Sequence, residues 1–270
     1  MTFPSESLSS TLIPEFPEKF AVLGIGLHLL DDYSSWLSSR LSRKIPTHVV
    51  TLNAEMVMQA LENSDLAQII EQAELVIPDG AGITFYLSLY GKECKRCPGI
   101  EIAEFMVTEA ANLGTSAPVF FYGGKPGVTQ QAAAMWQKQL PEIAIAGTEH
   151  GYITPAEETA FLQKLSDLQP SLILVGLGVP RQEFWIAKHR HICPQAIWIG
   201  VGGSFDIWAG VKTRAPGWLR DRNLEWLYRL YQEPWRWRRM LALPHFALKA
   251  LGNRVGLKMK SEVRSQESEV

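Results

Sequence analysis

A chain of 270 residues, 46% hydrophobic and 20% charged, is long enough for one large α/β domain with an appendage and has the make-up of an ordinary globular protein. Its net charge of −2 argues against nucleic acid as the main partner, and no run reaches the roughly 18 apolar residues that a membrane span needs. The N-terminus lacks a basic stretch ahead of an apolar core, so secretion is not expected. Cys94, Cys97 and Cys193 are an odd set that fits a reducing cytoplasm better than a disulfide framework. Cys94-Lys-Arg-Cys97 has no second pair nearby, so it reads as a loop with two thiols rather than a zinc site.

Residues 1–19, rich in Ser and Pro, are expected to be disordered. Strands are predicted at Phe20–Ile25, Thr47–Leu52, Glu74–Pro78, Pro118–Tyr122, Ile143–Gly147, Ser171–Gly176 and Ala196–Gly200. Helical patterns fill Tyr33–Arg43, Glu55–Asn63, Asp65–Gln72, Gly82–Leu89, Ile100–Leu113, Gly127–Gln139, Pro155–Leu168 and Arg181–Lys188. Runs such as Leu172-Ile-Leu-Val175 are apolar at every position, as strands covered on both faces are. The reading is therefore α/β: a Rossmann-like, mostly parallel sheet flanked by helices over residues 20–204.

The composition changes after Asp206. Between Asp206 and Lys260 twelve Lys or Arg face four acids, interleaved with Trp208, Trp218, Trp226, Trp235 and Trp237. Leu219–Gln232 and Trp235–Ala250 read as two helices broken at Pro234, giving a basic, Trp-rich helical appendage over 205–257, with a polar tail at 258–270. Rings with basic heads suit the water–lipid boundary, because the ring tolerates acyl chains while the cation seeks phosphate. The competing reading is a pair of helices packed back on the sheet with solvated arginines. The anionic membrane surface is preferred here.

Asp79 ends an apolar strand and precedes Gly80-Ala81-Gly82, where open α/β sheets keep their ligands. A helix N-cap is the plain alternative for it, but Thr51 and Asn53 at another strand end make three polar groups converging on one pocket. Glycine turns recur at Gly24-Ile-Gly26, Gly123-Gly124-Lys125-Pro126-Gly127, Gly176-Leu-Gly178 and Gly200-Val-Gly-Gly203. Together they point to backbone N–H groups aimed at a nucleotide-like ligand. Gln182 can read a sugar hydroxyl or base edge, or sit in a solvated first turn. No G-x-G-x-x-G opens a helix with an acid about twenty residues on, and no G-x-x-x-x-G-K-[ST] occurs, which disfavours a dinucleotide reductase and a phosphate-transferring ATPase.

Taken in order, Thr51-Leu-Asn53-Ala-Glu55, Pro78-Asp79-Gly80, Arg96-x-x-Gly99, Gly123-Gly124, Gly178-Val-Pro-Arg-Gln182-Glu183, Gly200-Val-Gly-Gly-Ser-Phe-Asp206, Arg214-Ala-Pro216 and Glu225-Trp-Leu-Tyr-Arg229-Leu-x-x-Glu-Pro234 resemble the WecG/TagA/CpsF family of bacterial glycosyltransferases. The resemblance runs from about Phe20 to Arg239. It implies inverting transfer from a UDP-linked sugar, typically of the N-acetylmannosamine type, to a polyprenyl-diphosphate-linked GlcNAc, on the cytoplasmic inner face of the plasma membrane. Asp79 then matches the general base and Thr51 and Asn53 its polar neighbours. Arg96, Gly123, Gly124, Gly178 and Gln182 fall on substrate-contacting motifs, and Arg229, Arg236 and Arg239 match arginines held to stabilise the diphosphate. One local departure follows Arg96, where Cys97-Pro98-Gly99-Ile100-Glu101 replaces the usual Val-Thr-Gly-Ser-Asp and bears on the donor sugar. With no Asp-x-Asp in the chain, the arginine cluster is read as the substitute for a metal, so neither metal nor cofactor is expected. A non-catalytic nucleotide-binding or membrane-bound adaptor of the same fold is the alternative, and self-association is left open by the residue pattern.

Overall fold

The computed structural model describes residues 17–92 and 97–267, with side chains as far as 255. Arg96 and Cys94, and residues 1–16 of the N-terminal segment, lie outside the described residues. The elements run β1 (Glu18–Val22), β2 (Ile25–Leu29), α1 (Tyr33–Ser42), β3 (Thr47–Leu52), α2 (Ala54–Glu62), α3 (Ser64–Glu71), β4 (Leu75–Pro78), α4 (Ala81–Leu89) and α5 (Gly99–Leu113). They continue with β5 (Val119–Gly123), α6 (Val128–Gln139), β6 (Ile145–Glu149), α7 (Pro155–Leu168), β7 (Leu172–Gly176), α8 (Arg181–His189), β8 (Ile197–Gly200) and α9 (Ser204–Trp208). The C-terminal helices are α10 (Gly217–Arg220), α11 (Glu225–Gln232), α12 (Trp237–Met240) and α13 (Ala242–Glu267).

Six strands form a fully parallel sheet in the order β4-β3-β8-β7-β5-β6. Their apolar runs divide with the two-residue period of a strand. Val49, Leu75, Ile77, Phe121, Leu174 and Ile199 face a core built with α1, α5, α6 and α9. Val50, Leu52 and Val76 face the opposite side with α2, α3 and α4, while Phe120, Ile173, Val175 and Trp198 pack there on α7 and α8. Chain order and spatial order disagree at β3/β8, so the loops after β3, β4, β7 and β8 open onto a common crevice.

Two predictions are corrected. Phe20–Ile25 is not one strand of the sheet but the turn of an antiparallel hairpin, β1–β2, with Glu18 opposite Leu29 and Val22 opposite Ile25. Leu23 and Gly24 turn it at φ 52° and 90°. The hairpin explains why Gly24-Ile-Gly26 is no ligand loop: it belongs to a separate two-stranded ribbon that covers the edge of the main sheet, where the edge amide of Val76 donates to His28 Nδ1 at 2.9 Å. The helices predicted at Leu219–Gln232 and Trp235–Ala250 are also more broken than expected. Asn223 adopts φ 59° between α10 and α11, and a 3-10 turn at Pro234–Arg236 precedes α12. The last helix, α13, runs well past Ala250 and docks on α2 and α4 through Phe246 and Ala250, both fully buried. Asn253 Nδ2 secures it by donating to Tyr86 Oη at 2.9 Å and Tyr90 Oη at 3.1 Å. No helix among the described residues is long and apolar enough to cross a membrane.

Candidate active site

A cleft of about 520 Å³ lies over the carboxyl ends of β3, β4, β7 and β8 and is closed on its far side by α11, α12 and the start of α13. Thr51 and Asn53 enter it from the end of β3, and Asp79 from the end of β4. Gly178 and Gln182 line it from the β7–α8 loop, and Arg229, Arg236 and Arg239 from the C-terminal helices. Eight of the eleven residues singled out from the sequence thus border one cavity. Gly123 and Gly124 do not line it, and Arg96 is outside the described residues. Gly123 instead lies against the Gly176 backbone, where a Cβ would come within 2.5 Å of the carbonyl, and Gly124 N–H donates to Gly176 O at 3.0 Å. These glycines are needed for close packing of two loops.

The polar residues are held from below. Asn53 is the N-cap of α2, its Oδ1 accepting from Met56 N–H at 3.0 Å. Asp79 is half-buried and is not a helix cap: Gly80, at φ 82°, takes that position for α4, while Asp79 N–H donates to Leu52 O at 2.8 Å. Thr51 is almost fully buried, with Gly99 pressed against it; a Cβ at Gly99 would meet Thr51 Cγ2 at 2.8 Å and Oγ1 at 3.1 Å.

Gln182 is neither solvated nor open. It is 1% exposed, and its Oε1 accepts from Gly178 N–H at 3.2 Å and Gly202 N–H at 3.1 Å, while Nε2 donates to Glu183 Oε1 at 2.9 Å. Those two glycine amides therefore serve to tie the loops after β7 and β8 to each other rather than to face a ligand.

The cationic wall is built of ion pairs that sequence reading missed. Glu233 accepts from Arg236 Nη1 at 2.8 Å and pairs with Lys212 Nζ at 3.1 Å; Lys212 also reaches Asp206 at 2.6 Å. Burial alone would raise the Glu233 pKa, but the hydrogen bonds from Arg236 and Lys212 outweigh it and hold the carboxyl below the ordinary range. Arg239 pairs with Glu55 in the first turn of α2. Arg214 pairs with Glu101 and Glu225; burial works against its charge, yet these acids hold its pKa above the usual value. Arg229 makes no ion pair among the described residues, and Arg236 Nε is buried without a hydrogen-bond partner there. Glu55, Glu101, Arg214, Glu225 and Glu233 all stand inside or beside the motifs quoted above. The signal that could have found them is alternation of sign between the sheet's loops and the C-terminal helices. Among the described residues no three His, Cys, Asp or Glu side chains are grouped to hold a metal ion.

A carboxylate at a strand end and several guanidinium groups that border the same cleft are suited to deprotonating a hydroxyl beside a polyanionic leaving group. The family model described as the Glycosyl transferase WecG/TagA/CpsF family matches residues 20–260. Two relatives are named N-acetylglucosaminyldiphosphoundecaprenol N-acetyl-beta-D-mannosaminyltransferase. That of Bacillus subtilis (strain 168) is 33% identical over 212 residues, 78% of this chain and 81% of its own length. That of Bacillus spizizenii (strain ATCC 23059 / NRRL B-14472 / W23) is 36% identical over 204 residues, 75% of this chain and 78% of its own. Sheet, cleft and closing helices all fall within the matched stretch, and the chain belongs to the WecG/TagA/CpsF family of glycosyltransferases.

Proposed function

We propose that the protein transfers a sugar of the N-acetylmannosamine type from a UDP-sugar to a polyprenyl-diphosphate-linked GlcNAc, with inversion and without a metal, in the building of a cell-envelope polysaccharide. The names of the two relatives supply the sugar and the acceptor class. The observation that carries the reading is that Asp79 and Arg229, Arg236 and Arg239 border one cleft.

The acceptor hydroxyl oxygen attacks the anomeric carbon from the face opposite UDP, and Asp79 takes the hydroxyl proton as the new C–O bond forms. The bond from the anomeric carbon to the β-phosphate oxygen breaks, and its electron pair leaves with UDP. Arg229, exposed and without an ion pair among the described residues, and Arg236, beside it on the cleft wall, meet that charge with charge-assisted hydrogen bonds. Thr51 and Asn53 border the space between base and donor. The lipid end of the acceptor approaches past α11 and α12, where Tyr231 and Trp235 are 82% and 71% exposed, so the enzyme works as a peripheral protein at an anionic membrane surface on the cytoplasmic side.

Incubation with a panel of UDP-sugars and a GlcNAc-diphospholipid, with and without EDTA, tests the proposal by released UDP. Release is expected with the N-acetylmannosamine donor, at a rate EDTA does not change. Loss of activity to EDTA and its return with Mg²⁺ or Mn²⁺ removes the metal-free mechanism. Nucleotide binding with no UDP released from any pair marks a non-catalytic adaptor and overturns the assignment.

A further inference from the structure

Beneath the cleft lies a buried polar chain that the proposed chemistry does not use. Glu183, in the first turn of α8, is 0% exposed, and His48, near the start of β3, is 1% exposed. Glu183 Oε2 lies 2.9 Å from His48 Nε2, and Glu183 Oε1 accepts from Gln182 Nε2 at 2.9 Å. His48 is itself fixed, its backbone N–H donating to Glu74 Oε2 at 2.7 Å while Arg190 Nη2 holds the other oxygen of Glu74 at 2.8 Å. Gly200 leaves the room for this arrangement: a Cβ there would fall 2.3 Å from Gln182 Nε2 and 2.7 Å from Glu183 Oε1.

A carboxylate only accepts hydrogen bonds, so Glu183 obliges Gln182 to turn its NH₂ inward and its carbonyl oxygen toward the cleft loops. That oxygen receives Gly178 N–H and Gly202 N–H, one from each loop. Both loops border the cleft. With the amide reversed, an NH₂ group would face two N–H donors, and neither loop would be held. We infer that Glu183, braced by His48, is a positioning residue: it fixes the orientation of the Gln182 amide and through it the spacing of the two glycine loops that border the cleft. Buried networks of this kind specify one arrangement because a half-satisfied alternative is costly in a low-dielectric interior. The catalytic part of this inference rests on the transferase reading above; the loop-holding part does not.

The test compares wild type, Glu183→Gln, Gln182→Ala and the double variant by amide hydrogen exchange and by steady-state kinetics. A glutamine at 183 can offer Gln182 either an oxygen or an NH₂, so the amide loses its imposed direction. Exchange at Gly178 and Gly202 is expected to quicken roughly tenfold in Glu183→Gln, with the Leu174 and Ile199 amides of the sheet unchanged. In the transferase assay kcat/KM is expected to fall by about tenfold, and the same substitution is expected to add little in the Gln182→Ala background. Unchanged exchange at the two glycines overturns the inference, as does faster exchange with undiminished kcat/KM, or full additivity in the double variant. A wild type that exchanges as expected but transfers no sugar counts against the proposed function and leaves the loop-holding part standing. Should Glu183→Gln fail to fold, His48→Phe removes the brace while keeping a ring in place, and the same two amides must quicken in it or the inference falls.

Discussion

At the scale of single residues, Asp79 is the group on which the chemistry turns. Its backbone is pinned to β3 by the bond to Leu52 O, a bond that replacing the carboxylate by an amide of the same shape keeps. Asp79→Asn is expected to lower kcat by about 100-fold or more, the usual weight of a general base, with UDP affinity and thermal midpoint unchanged; turnover close to wild type would remove Asp79 from the mechanism. Gly99 tests the site's packing. Its alanine variant must displace Thr51, 2.8 Å from the added carbon, at a cost of about 1–3 kcal/mol, read as a lower thermal midpoint together with reduced kcat. Gly252→Ala, with nothing within 4 Å on an exposed stretch of α13, is the control and is expected to be neutral or slightly stabilising. At this scale the sequence made the shared position of Thr51, Asn53 and Asp79 legible because all three stand at the ends of apolar strands, but it did not show that Asn53 also caps α2. It could not separate Gly123 and Gly124 from Gly178, since a glycine for loop packing and a glycine at a cleft look alike until the partners of each amide are known. His48 was overlooked for a related reason: one polar residue in a buried strand signals a buried partner, but the partner is 135 positions away.

At the scale of elements, continuous apolar runs announced a parallel sheet covered on both faces, and six parallel strands form it. The order of those strands was not legible, because it depends on which crossovers pass over which face. The β1–β2 hairpin escaped for a local reason: Leu23-Gly24 is a two-residue turn inside what reads as one apolar run. The hairpin also makes stability depend on pH. Burial is the main cause that lowers the His28 pKa below its ordinary 6.5, with Lys19 adding to it, and neutral His28 is required for Nδ1 to accept from Val76 N–H. The folded pKa lies below the unfolded one, so the unfolded chain binds the proton first as pH falls. The contribution is therefore complete above about pH 6.5 and is lost as pH drops through the folded value. Denaturant midpoints are expected to decline between pH 7.5 and 5, and His28→Gln, which keeps an acceptor but does not titrate, is expected to flatten part of that decline. An equal decline in the variant would show that His28 is not responsible.

At the scale of the whole molecule, the C-terminal helices pack back on the body of the protein, as one of the two readings of the sequence expects. The last of them docks on α2 and α4 through Phe246 and Ala250, while Trp218, Trp235 and Trp237 stay more than half exposed in a stretch whose sequence carries twelve basic residues between Asp206 and Lys260. Because α13 fills the core between α2 and α4, cutting the chain after Gly203 would uncover apolar surface, so a truncation confounds folding with membrane contact. Replacing the three exposed tryptophans by serine avoids this, since substitutions at exposed positions change stability by only about 0.5 kcal/mol. If these rings and cations meet a lipid surface, the triple variant should keep its thermal midpoint and its turnover of a short, water-soluble acceptor, while losing cosedimentation with anionic vesicles and turnover of a long-chain acceptor held in them. Wild-type cosedimentation should weaken as salt rises and screens the basic residues, and should be poor on vesicles of neutral lipid. A triple variant that still sediments with anionic vesicles and still turns over the embedded acceptor would assign membrane contact to another surface. The tryptophans would then be left without a role in bringing the lipid-linked substrate to the arginines.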